Sequence, residues 1–231
     1  MKKQTILWIM LSFLGLSTSS KINAQDWPNL NKYKKANAAL SVPEKDGNRV
    51  VFMGNSITEM WKDAHPEFFE YHPYVNRGIS GQTTPQMLLR FRQDVIDLNP
   101  KIVVILAGTN DIAGNTGPMT LEQTRDNIMS MVELAKMNGI APIVCSVLPA
   151  YDYPWRPGLK PNIKIPKLND MLKTMAEEKD VMYLDYFTEM ADERNGLPPK
   201  LTTDEVHVTK AGYEIMEKMV NEAIDKVLEN K

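Results

Sequence analysis

Residues 49–58 read RVVFMGNSIT, an apolar run that halts at Gly54 and passes directly into Asn55, Ser56 and Thr58. Val50 to Met53 leave no polar face, which is how a strand buried on both sides reads. The pattern recurs at Ile102–Leu106 and Ile143–Val147, with shorter runs at Tyr74–Asn76 and Val181–Leu184. Helical periods lie between these runs. Thr84-Pro85 opens one helix with Pro at a first-turn position, Met87, Leu88, Phe91 and Val95 form its stripe, and Asn99-Pro100 ends it. Thr120 with Gln123 reads as a capping box, followed by Ile128, Met131, Val132 and Ala135 at helical spacing and a stop at Gly139. Leu168, Met171, Leu172 and Met175 mark a further helix, and Tyr213, Met216, Val220, Ile224 and Val227 stripe a closing one. Strands alternating with helices predict right-handed βαβ units and a parallel sheet covered on both faces. In such a fold the working residues sit in loops beyond the carboxyl ends of the strands.

Composition narrows the function classes. The chain has 231 residues, 43% hydrophobic and 24% charged, an ordinary globular balance that excludes a disordered, collagen-like or multi-pass membrane protein. One cysteine, Cys145, rules out an internal disulfide framework and a cysteine zinc cluster. Three histidines leave little for a histidine-rich metal site, and His65 and His72 read as surface residues of a polar loop. The 15 methionines fall mostly on helical stripes or in the first residues, as core filler does.

Lys2 and Lys3, the apolar run Ile6–Leu16 and Ile22-Asn23-Ala24 have the three-part form of a secretory signal. The run is short for a membrane anchor, and the position of the only cysteine argues against a lipoprotein signal. Cleavage after Ala24 leaves 25–231 as one domain with a polar lead-in over 25–48. It also removes three lysines and no acid, taking the formal charge from −2 to −5. The expected product is exported to the periplasm or medium. Its mild acidity argues against nucleic-acid binding, and nothing in it calls for stable membrane insertion.

Four segments at expected strand ends carry chemistry. Ser56, on the turn after the first strand, can present both its hydroxyl and its backbone N–H to a cleft; taken alone, it reads first as a helix N-cap. The G-x-S-x-G elbow of the α/β-hydrolases is absent. Gly81, just before a helix, can bring a bare N–H close to a ligand, or serve as a turn glycine. Asn110 offers a side-chain NH₂ at the same edge of the sheet, or serves as a turn asparagine. Asp204 stands three residues before His207, a spacing that lets a carboxylate fix an imidazole tautomer and leave the other nitrogen as a base.

Together, and in chain order, these segments resemble the four blocks of the SGNH (GDSL-type) hydrolase family, matched by Ser56, Gly81, Asn110 and His207, with Asp204 before the histidine. The stretches NRGISGQTT and PKIVVILAGTND are similar to the platelet-activating-factor acetylhydrolase branch. The resemblance covers about residues 49–229. It implies a three-layer α/β/α sandwich with a flavodoxin-like parallel sheet. It also implies ester hydrolysis through an acyl-enzyme on Ser56, with His207 as base, Asp204 as its partner, and an oxyanion held by Ser56, Gly81 and Asn110. No metal or organic cofactor is implied. One residue departs: Asn55 stands where the family usually has Asp, and a turn-bracing role is expected of it.

Substrate readings are coarser. Tyr151, Tyr153 and Trp155 follow the third long strand and can stack on a sugar, line an acyl pocket, or pin a Pro-rich loop. Trp61 can be a rim residue or a packing residue, and Arg77 can read a negative group or brace its turn. An exported esterase without an apolar surface run suggests short acyl groups, acetyl esters on glycans above all. A lysophospholipase or broad carboxylesterase is the alternative. A catalytically inactive carbohydrate-binding module is an alternative of another class.

Overall fold

Five parallel strands in the order β2-β1-β3-β4-β5 form the centre of the molecule, with helices on both faces. The structure, a computed structural model, describes residues 25–43 and 47–229, so the segment read as an export signal lies outside the described residues. Among the described residues the elements run α1 (Lys34–Ala39), β1 (Val50–Gly54), α2 (Ser56–Ala64), α3 (Pro66–Glu70), β2 (Tyr74–Gly78), α4 (Thr84–Asp94), β3 (Ile102–Leu106), α5 (Thr109–Ile112), α6 (Leu121–Met137), β4 (Ala141–Cys145), α7 (Pro161–Glu178), β5 (Met182–Leu184), α8 (Tyr186–Met190) and α9 (Lys210–Glu229). The strand order is that of the flavodoxin-like doubly wound sheet, with a topological switch point at β1.

The buried strands divide their side chains between two cores. Val51, Met53, Val103 and Ile105 face one layer, where they meet Met87 and Phe91 of α4, Ile128 and Val132 of α6, and Leu168 and Leu172 of α7. Val50, Phe52, Ile102 and Val104 face the other, against Trp61 of α2, Phe68 and Phe69 of α3, and Tyr213, Met216 and Val220 of α9. This two-residue alternation explains why every position of β1 and β3 is apolar or Gly: both faces are covered.

Two expectations shift. The third long strand covers 141–145 rather than 143–147. Ser146 N–H still donates to Leu184 O of β5 at 2.9 Å, but Val147 N–H leaves the ladder for Asn169 Oδ1 at 2.8 Å. The segment holding His65 and His72 is not a simple polar loop. Pro66 starts α3, whose Phe68 and Phe69 join the core, and the His65 side chain is only 12% exposed, with Nδ1 3.1 Å from Glu217. His72 is exposed.

The polar lead-in acts as a strap beside β2 and α4. Gln82, Gln86 and Gln93 donate to the carbonyls of Pro28, Trp27 and Leu30 at 2.8, 2.7 and 2.7 Å. Tyr33 donates its hydroxyl to the Gly78 carbonyl, and Asn37 donates to Asp94 at 2.7 Å.

Candidate active site

Ser56 is the first residue of α2, with Asn55 as the N-cap. Its N–H is therefore among the first-turn donors that have no intrahelical acceptor, at the positive end of the helix dipole. Asn55 is 2% exposed and its side-chain oxygen accepts from Ile57 N–H at 3.4 Å, so it braces the turn that presents Ser56. The turn sits close to the sheet because β2 ends in glycine: a Cβ on Gly78 would lie 2.2 Å from Glu59 N and 2.7 Å from Asn55 O.

His207 comes from the loop before α9, 151 residues downstream, and its Nε2 lies 2.9 Å from Ser56 Oγ. Packing of α9 against α2 brings the two together. Tyr213 donates its hydroxyl to Ile57 O at 2.7 Å, Trp61 donates its indole N–H to Glu217 at 2.9 Å, and the Trp61 and Tyr213 rings stack at 5.4 Å. Asp204 organises the loop itself. Its Oδ1 accepts from Val206 N–H and His207 N–H at 3.0 and 2.7 Å, and its Oδ2 lies 2.6 Å from His207 Nδ1. Burial pushes the Asp204 carboxyl up, but hydrogen bonds from the His207 ring and from the His207 and Val206 amides outweigh it, leaving the group below its ordinary value. A carboxylate can only accept, so Nδ1 carries the proton and Nε2 presents a lone pair to Ser56.

Two further donor groups converge at the same edge. Gly81 adopts φ +76°, with open space where a Cβ would be, so the left-handed turn places its backbone without a side chain over the cleft. Asn110, in the short helix α5, donates one amide hydrogen to Gln82 O at 2.9 Å and so is tied to the Gly81 segment. Arg90, with 0% exposure, holds that segment from below: Nε donates to Gln82 Oε1 at 2.5 Å, Nη2 to Gly54 O at 3.0 Å, and Nη1 to Asp94 at 3.1 Å. Asp111, 2% exposed, accepts from Thr84 N–H at 3.0 Å and from Thr84 Oγ at 2.6 Å, fixing the start of α4. Burial raises its carboxyl to about 6, against opposing hydrogen bonds from Thr84. Arg90 and Asp111 escape sequence reading, because only their burial separates them from ordinary helix-surface and turn residues.

The remaining expectations divide. Ser56, Gly81, Asn110, Asp204 and His207 lie at the carboxyl edge of the sheet. Trp61 is 1% exposed and packs on Phe68 and Tyr213, which corrects the reading of it as a rim residue. Arg77 is 5% exposed, lies over the Tyr33 ring at 4.7 Å and donates to Asn37 and Asn76, so it braces the strap and does not face a substrate. Tyr153 has 0% exposure, with its hydroxyl 2.9 Å from Thr109 Oγ and 3.0 Å from Thr109 O, so it supports α5 and does not line the cleft. Trp155 stacks on Tyr153 at 5.3 Å and keeps an open face, and Tyr151 is exposed beneath Arg194. Among the described residues no group of three or more His, Cys, Asp or Glu gathers in the manner of a metal site, and no helix is long and apolar enough to cross a membrane.

The arrangement can move a proton from Ser56 Oγ to His207 while holding the imidazolium on Asp204, which prepares an oxygen nucleophile. Comparison with known proteins agrees with that chemistry. Residues 52–215 match the GDSL-like Lipase/Acylhydrolase family. A candidate acylhydrolase from Bacteroides fragilis NCTC 9343 is 48% identical, with a TM-score of 0.87 over 89% of this chain and 100% of that one. A GDSL-like lipase from Bacteroides thetaiotaomicron VPI-5482 is also 48% identical, with a TM-score of 0.85 over 87% of this chain and 99% of that one. An uncharacterized lipoprotein, YqeF, of Bacillus subtilis (strain 168) is 38% identical over 78 residues, 32% of this chain; the match spans about a third of that relative's length, 32%.

Proposed function

The chain belongs to the GDSL-like lipase/acylhydrolase family, and we propose that it is an exported serine esterase that removes short acyl groups, acetyl above all, from carbohydrate hydroxyls. One observation carries the reading: Ser56 Oγ, His207 and Asp204 form a continuous hydrogen-bonded relay at the carboxyl edge of the sheet, with links of 2.9 and 2.6 Å. In the proposed reaction His207 Nε2 takes the Ser56 proton as Oγ attacks the ester carbonyl. The N–H groups of Ser56 and Gly81 and the second amide hydrogen of Asn110 hold the oxyanion, where one such donor is typically worth 10²–10³ in kcat. Collapse of the tetrahedral adduct expels the alcohol, which receives its proton from His207. Water, deprotonated by the same nitrogen, then releases the acyl group.

Short acyl groups fit the absence, among the described residues, of a run of exposed large apolar side chains, and the exposed Trp155 and Tyr151 offer a sugar aromatic surface. Export rests on the signal-like residues 1–24 and is supported by the likeness to a lipoprotein. The test is hydrolysis of p-nitrophenyl acetate by the wild type and by Ser56→Ala and His207→Ala. Each variant loses nearly all activity while retaining its fold, and the double variant is little worse than either alone. Near-native turnover by Ser56→Ala would remove the nucleophile from the account.

A further inference from the structure

A cleft of about 470 Å³ opens beside Gly81, and apart from Gly81 the proposed reaction gives no part to its lining. Its floor is Ser80 and Gly81, one wall is the strap at Asp26, Trp27 and Asn29, and the opposite wall includes Asn115. A volume of this size holds a small organic ligand.

The walls are held in place by hydrogen bonds that their own residues make. Gln86 donates to Trp27 O at 2.7 Å and Gln82 to Pro28 O at 2.8 Å. Asp26 accepts from Leu30 N–H at 2.8 Å and from the backbone and side-chain amides of Asn31 at 3.0 Å. Across the cleft, Asn115 donates to Gly81 O at 3.2 Å, and the Thr116 hydroxyl lies 2.8 Å from that of Thr83. The Trp27 backbone is thus anchored while its side chain, outside both apolar cores, stays 41% exposed. The indole is held at the cleft with part of its surface open to a ligand.

We infer that this cleft is a subsite for one sugar ring of the alcohol portion of the ester, with Trp27 as the plate on which the ring stacks and the amides and hydroxyls of the opposite wall as partners for its hydroxyls. Amide and hydroxyl groups predominate in the lining, and its one carboxylate is committed to the strap's own amides. No Lys or Arg lines it to meet a phosphate. A quaternary ammonium is the other ligand that favours an indole face, but a single ring makes an incomplete cage. The inference deepens the esterase reading and rests on it.

The experiment compares wild type, Trp27→Ala and Trp27→Tyr on three kinds of ester: p-nitrophenyl acetate; mono-O-acetylated glucose, xylose and N-acetylglucosamine; and acetylated glycerophosphocholine. In Trp27→Ala the ratio of kcat/KM for the best sugar ester to that for p-nitrophenyl acetate falls about five- to tenfold, the scale of one lost aromatic stacking contact. The change resides in KM, and Trp27→Tyr recovers most of it. Parallel losses on every ester would make Trp27 a structural residue and overturn the proposal. An unchanged ratio, failure to cleave any of the sugar esters, or a response confined to the phosphocholine ester would overturn it as well. Loss of the esterase reading itself shows separately, as hydrolysis that survives Ser56→Ala.

Discussion

Arg90 and Gln82 join through a 2.5 Å hydrogen bond in which the guanidinium Nε donates to Oε1, at a site where both side chains are buried. The same guanidinium reaches Gly54 O, so one cation ties the end of β1 to the segment carrying Gly81. The carbonyl of Gln82 in turn accepts from Asn110. The three strand-end segments that carry the proposed oxyanion donors are therefore parts of one hydrogen-bonded unit.

Removal of that cation strands Asp94 and Gln82 in the interior. Arg90→Met is expected to destabilise the fold by about 3–5 kcal/mol, the usual consequence of breaking a buried ion pair from one side. Adding Asp94→Leu recovers part of the loss, because the unpaired carboxylate goes with it. Urea unfolding of the two single variants and the double variant measures this. Additive losses would show that Arg90 and Asp94 do not act as a pair.

Asp111 sets a pH dependence of opposite sign to that of most carboxylates. Its carboxyl titrates near 6 when folded and near the ordinary 3.8 when unfolded, so the folded chain holds the extra proton between those values. Stability from this group is present at low pH and falls as pH rises through the window, by about 3 kcal/mol at most. Asp111→Asn cannot titrate. The stability of the variant minus that of the wild type is therefore expected to rise from pH 4 to pH 7 and then level off. A difference that stays flat across the window would mean that Asp111 is solvated or paired, contrary to its buried and, among the described residues, unpartnered Oδ2.

Acyl length tests the site's depth. A buried channel gains up to about 0.8 kcal/mol for each methylene it covers, whereas a shallow site gains nothing. The expected order of kcat/KM on p-nitrophenyl esters is acetate above butyrate, with octanoate very low. A steady climb with chain length would favour a lysophospholipase.

Much of this architecture is legible in residue order because its signals are local. Ile102–Leu106 matches β3 end to end, and the Thr120–Gln123 box forms as read. The four strand-end segments likewise stand out by type and order. What could not be read is direction. Trp61, Tyr153 and Arg77 have the composition of binding residues, yet α9, α5 and the strap bury them, and each of those contacts is made by residues distant in sequence. Trp27 is the converse, an aromatic in a polar lead-in whose position beside Gly81 depends on glutamines in other segments. Short helices such as α1, α3 and α8 give too few turns for a periodic stripe.

Ser56 is the proposed nucleophile, and covalent capture tests that role most directly. A fluorophosphonate should modify the protein once, and peptide mass spectrometry should place the adduct on the Ser56 hydroxyl. His207→Ala should label far more slowly, because Oγ then has no base. An adduct at any other serine, or labelling of His207→Ala at the wild-type rate, would contradict the proposed relay.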